Sequence, residues 1–118
     1  MLTGMISSVS GVSVSGGSSA EIYSDKTRDN FGFGEDLAFH GSATDNIAIG
    51  SGALNSTSGV AINNVAIGDS AGTSITTGDG NTLIGWSAGD AFDVENYNTA
   101  IGYSAMGGAG SAAHCVSI

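Results

Sequence analysis

The chain carries few side chains of the kind that make and break bonds. Its histidines are His40 and His114, and its one cysteine is Cys115. The adjacent His114–Cys115 pair comes nearest to a nucleophile with its base. Such a dyad needs convergent side chains, a third group to orient the base and donors for a developing oxyanion. Neighbours in an extended segment point to opposite faces instead. The pair is therefore read as a corner of a repeat at which Cys115 replaces another residue, and the chain as no enzyme. A single cysteine excludes an internal disulfide and a cysteine-based zinc site; it leaves only a bond between chains.

The eleven carboxylates offer oxygen ligands for a cation. Asp69, Asp79, Asp90, Asp93 and Glu95 fall in or near loops, but without the spacing of a helix–loop–helix calcium site or of a calcium-binding β-roll. They are read as solvated loop acids, with no metal and no cofactor, and Asp79 as dispensable. Gly-x-Gly occurs at Gly32/Gly34, Gly50/Gly52, Gly78/Gly80 and Gly108/Gly110. No Lys-Ser/Thr follows any of them, so no nucleotide loop is expected. The aromatic residues are more promising. Trp86 and Tyr103 hold equivalent places, each just after a glycine, and Tyr97 lies near them. On neighbouring strands they would lie about 5 Å apart, as a platform for a sugar ring or as rings packed between chains.

The elements that position these residues are legible as a repeat. Asn46-Ile-Ala-Ile-Gly50 recurs as Asn64-Val-Ala-Ile-Gly68, Asn81-Thr-Leu-Ile-Gly85 and Asn98-Thr-Ala-Ile-Gly102, with Asn spacings of 18, 17 and 17. Ala53, Ala71, Ala88 and Ala105 follow at a constant offset. Asn30-Phe-Gly-Phe-Gly34 reads as a degraded first copy, and Cys115-Val-Ser-Ile118 fits the first places of another. A constant period means stacked units. Each phrase alternates as a strand does, and polar Gly/Ser/Thr/Asn/Asp linkers separate the phrases. The fold class is therefore all-β: a parallel β-solenoid or β-roll with coils of ~17 residues stacked at about 4.8 Å. Ile at each fourth place predicts a core ladder of Ile49, Ile67, Ile84 and Ile101, so that Ile67→Asp or Ile84→Asp would prevent folding. The small third places, Ala48, Ala66 and Ala100, are expected to face the partners of an intertwined trimer.

Composition agrees with such a rod. Twenty glycines with no proline leave the backbone N–H groups free for a continuous ladder. The net charge is −9, with Lys26 and Arg28 the only basic residues. Binding to nucleic-acid phosphates or to an anionic membrane surface is not expected. No apolar run approaches the ~18 residues of a membrane span. The first twenty residues hold no Lys or Arg and no long apolar stretch, so no cleavable export signal is expected. Residues 1–29, which alternate Val with Ser and then become Gly/Ser-rich, read as an attachment arm, and residues 30–118 as the rod.

The phrase Asn-x-Ala-Ile-Gly-x-x-Ala over residues 46–109 resembles the coils of trimeric autotransporter adhesin heads and of repeat segments in bacteriophage tail fibres and other virion surface proteins. The resemblance implies a homotrimeric all-β rod. The expected function is non-enzymatic: a spike on the virion surface, made in the host cytoplasm, with its arm on the major capsid protein or a fibre-base protein. The length favours a capsid decoration (cement) protein. The alternative is a tail-fibre or adhesin module that binds a host surface glycan or receptor.

Overall fold

The computed structural model describes residues 21–25, 27–37, 42–58, 60–108 and 113–118. They form one seven-stranded sheet: β1 (Glu21–Asp25), β2 (Asn30–Gly34), β3 (Ile47–Ile49), β4 (Val65–Ile67), β5 (Thr82–Ile84), β6 (Thr99–Ile101) and β7 (Val116–Ser117). The spatial order equals the chain order. β1 and β2 make an antiparallel hairpin, and each later strand pairs in parallel with the one before it. Parallel neighbours that follow directly in sequence require the chain to travel around one coil between them. The result is a β-solenoid of about five turns. Ala48 pairs with Ala66, Ala66 with Leu83 and Leu83 with Ala100, so the repeat phrases stack in register. The boundary expected at 29/30 falls in the β1–β2 turn, and the sheet extends back to Glu21. The rest of the expected arm, residues 1–20, lies outside the described residues.

Each coil is tied to its neighbours on more than the strand side. Ser70 N–H donates to Ser51 O, Leu54 N–H to Ala71 O, Thr76 N–H to Asp93 O and Tyr97 N–H to Asp79 O, at 2.8–3.1 Å. The phrase-ending glycines Gly34, Gly50, Gly68 and Gly85 are required by stacking as well as by their turns, and Gly102 by its turn alone. Gly68 has φ +137, and a Cβ there would lie 2.4 Å from the carbonyl oxygen of Gly85 on the next coil. A side chain at that place would separate the coils.

The core is a thin slab of small residues. Ala48, Ala66, Leu83 and Ala100 are fully buried, against Ala53, Ala71 and Ala88 on the opposite wall. Leu83 is the one large residue in its row, and two glycines compensate for it. A Cβ at Gly72 or Gly89 would come within 2.7 Å of its methyl groups. Large against small keeps the slab filled without forcing the walls apart. At the far edge Thr57, Ile75 and Phe92 close the core.

The expected arrangement of the two strand faces is reversed. Ile49, Ile67, Ile84 and Ile101 are half-buried on the outer face of the sheet, whereas Ala48, Ala66 and Ala100 point into the coil. The strand wall lines the core with this small row, and the larger core residues Leu54, Ile75 and Phe92 come from the other segments of the coil. Ala48, Ala66 and Ala100 are therefore not available to a partner, and the Ile row is not the core ladder.

Asn30, Asn46, Asn64, Asn81 and Asn98 share the inward parity of the Ala row and are buried. They form a continuous amide ladder through the core edge. Asn64 donates from its backbone N–H (3.0 Å) and its Nδ2 (3.1 Å) to Asn46 Oδ1. Its Nδ2 also donates to Gly78 O at 2.7 Å. Its own Oδ1 then accepts the N–H and Nδ2 of Asn81, at 2.9 and 3.1 Å. Both donors of the amide and both lone pairs of its oxygen are used, so a polar side chain is tolerated at full burial.

Candidate interaction surface

The most distinctive surface lies on the outer face of the sheet. Two columns run along it. The first holds Phe31, Ile47, Val65, Thr82, Thr99 and Val116, and the second holds Phe33, Ile49, Ile67, Ile84 and Ile101, with Ile118 following β7 at the same parity. Coil stacking covers each side chain only from above and below. Phe31 and Phe33 remain more than 40% exposed, and Ile118 is 90% exposed. No charged residue stands in either column. The second column is apolar throughout and the first is interrupted only by Thr82 and Thr99, and a stripe of this length over β2–β7 is more than a soluble monomer usually presents.

Two corner columns flank the stripe. The leading corner, just before each phrase, holds Asp29, Asp45, Asn63, Gly80, Tyr97 and His114, all with φ between 53° and 68°. The trailing corner, just after each phrase-ending glycine, holds Glu35, Ser51, Asp69, Trp86 and Tyr103. Trp86 and Tyr103 stack with ring centroids 4.8 Å apart and an interplanar angle of 15°. Tyr97 packs over Gly80, where a Cβ would meet its ring at 2.7 Å, and leans on His114 with centroids 5.1 Å apart. The coil spacing thus brings Trp86 and Tyr103 together as expected, but turns their faces onto each other. The ring edges and one face of Tyr103, which is 78% exposed, meet solvent. The faces that Trp86 and Tyr103 turn to each other are covered, which leaves the outer face of Tyr103 as the open stacking surface.

The His114–Cys115 pair is split by the backbone. His114 lies in the leading corner against Tyr97. Cys115 stands at the ladder place of an Asn, where its backbone N–H donates to Asn98 Oδ1 at 2.9 Å. Its thiol contacts Ala113 O at 3.7 Å.

Several spacer acids are struts. Asp79 Oδ1 accepts the N–H of Ile62 on the preceding coil at 2.8 Å, and Asp79 N–H donates to Asn96 Oδ1 on the following coil at 2.6 Å. Thr76 donates its hydroxyl to the carboxylate of Asp93, and Glu95 Oε2 accepts the N–H groups of Asp93 and Val94. Asp79 is therefore not dispensable. Asp79→Ala orphans the half-buried Ile62 N–H, at an expected cost of about 1–2 kcal/mol. Thermal unfolding should fall by roughly 4 °C per kcal/mol, with Asp79→Asn, which keeps the acceptor, close to wild type. The only signal for this role in the sequence was the constant offset of 17 from Ile62 to Asp79 to Asn96. Among the described residues no three His, Cys, Asp or Glu side chains come together as ligands for a metal ion.

Compared with protein-family models, with curated proteins and with solved structures, the chain matches none.

Proposed function

We propose that this chain is a non-enzymatic structural rod on the surface of a bacteriophage virion, a homotrimeric spike that acts as a capsid decoration protein. The observation that carries this reading is the apolar stripe. Its side chains repeat at the coil spacing over six strands. Only an object with the same repeat can fill its ridges and grooves along their whole length, and a second copy has that repeat by construction. Charge supports the same occupant. Residues 42–118 hold six acids and no Lys or Arg, none of them on the stripe. Copies repel everywhere except where the stripe allows contact, which favours one closed assembly over lateral aggregation. Three is the number in the rods that the repeat phrase resembles. The trimer face in this reading is the Ile face rather than the Ala row, and the arm of residues 1–29 docks on the capsid.

The test has two steps. Analytical ultracentrifugation of the purified chain should give the mass of a trimer. Immunogold electron microscopy with antibody against the rod should then label phage heads. Label confined to the tail end would replace decoration with a fibre role. A monomeric chain, or unlabelled particles, would overturn the proposal.

A further inference from the structure

The aromatic residues of this rod are unevenly placed. On β2–β4 the two corners carry Asp29, Glu35, Asp45 and Asp69. Over β5–β7 the same corners carry no acid, and hold Trp86 and Tyr103 on the trailing side and Tyr97 and His114 on the leading side. Within one protomer the two ring stacks lie at opposite edges of the sheet face. Tyr97 and Tyr103 lie at the two corners that flank β6, on either side of Thr99–Ile101.

We propose that these stacks are the two halves of a seam between copies of this chain: Trp86 and Tyr103 of one protomer pack against Tyr97 and His114 of the next. The inference rests on the cyclic assembly proposed above. Cyclic closure joins unlike surfaces, so the trailing corner of one protomer meets the leading corner of its neighbour. Stacked rings expose their edges, and ring edges insert well between other rings. A chain of charge −9 meets least repulsion from its own copy where both corners are uncharged, and β5–β7 is the stretch where that holds. The seam therefore sets the axial register of the protomers, while the stripe supplies most of the buried area. Large aromatic residues at a water-excluded seam are the usual carriers of interface energy.

Trp86 is the only tryptophan in the chain, so its fluorescence reports on the seam directly. Each substitution takes the residue that another coil uses at that place: Tyr97→Gly follows Gly80, and Trp86→Ser follows Ser51. In the assembled wild-type protein Trp86 should emit at shorter wavelength than in the monomeric Ile67→Asp chain, and acrylamide should quench it several-fold less. Tyr97→Gly should reverse that shift in the assembly and leave the monomer spectrum unchanged, because Tyr97 reaches Trp86 only across the seam. Trp86→Ser should weaken assembly at least tenfold. If Trp86 is equally quenched in the assembly and in the monomer, the rings face solvent and the seam is wrong, although the trimer stands. If the wild-type chain is itself monomeric, the seam falls together with the reading on which it rests.

Discussion

Ala66→Asp should abolish folding, whereas Ile67→Asp, the next residue on the same strand, should yield a folded chain that no longer assembles. Ala66 is fully buried, with Ala48 and Leu83 as its strand neighbours and the opposite wall of the coil in front of it. A carboxylate there has no donor and no cation, and neutralising it by protonation still leaves an unpaired polar group. That burial costs several kcal/mol. The three extra heavy atoms must also enter a slab filled by alanines, at a further ~1–3 kcal/mol. The sum is comparable to the whole stability of a domain this size, about 5–15 kcal/mol. Ile67 points outward and is half-buried. Its replacement by Asp places the charge in water in the single chain and in an apolar interface in the assembly. Circular dichroism and sedimentation together separate the two effects: Ala66→Asp should lose the β spectrum, while Ile67→Asp should keep it at monomer mass. Equal behaviour of the two variants would mean that the strand faces are misassigned.

Asn64→Leu should be nearly as damaging, although it trades a buried amide for an apolar side chain of similar size. Asn64 Oδ1 is the acceptor for Asn81 N–H and Asn81 Nδ2, and Asn64 Nδ2 is a donor to Gly78 O. Removing the amide strips these three buried groups of a partner and takes one of two donors from Asn46 Oδ1. At about 1–3 kcal/mol for each orphaned group, and with some relaxation, the expected loss is about 3–6 kcal/mol. The ladder is a chain of polarised amides running through Asn46, Asn64, Asn81 and Asn98, so a break in its middle weakens the bonds on either side. Asn63→Gly, one residue earlier, is the control. Asn63 is exposed with φ 60, a backbone conformation that glycine adopts without strain, and the change should be close to neutral. Urea denaturation of the two variants gives the comparison. A loss under 1 kcal/mol for Asn64→Leu would show that water replaces the ladder.

Much of the fold was legible because the repeat is linear. A spacing of 17 or 18 between identical phrases, strand alternation within them and polar linkers between them leave little besides stacked parallel coils. The Trp86–Tyr103 contact followed from the same register, since equivalent places on successive coils must lie one strand spacing apart. The inside of the coil did not follow. Alternation separates Ile47, Ile49 from Asn46, Ala48 but does not say which set faces the core when both include apolar residues. Hydrophobicity favoured the Ile set. What the structure shows is that the Ala set shares its face with the Asn amides, which are buried and paired with one another and with coil carbonyls.

What the sequence determined by itself was periodicity: the number of coils, their register, the need for glycine at each phrase end and the acidic surface, all of which depend on residues near in the chain or one period away. What only the tertiary structure decided was direction. It turned the Asn amides inward, where Asn46, Asn64 and Asn81 use both amide donors and both lone pairs of the oxygen. It made Asp79 a strut, faced the rings of Trp86 and Tyr103 onto each other and put the Ile columns outside. Each of these depends on contacts that one coil makes with the next, which are set by the whole stack at once and are written in no single repeat.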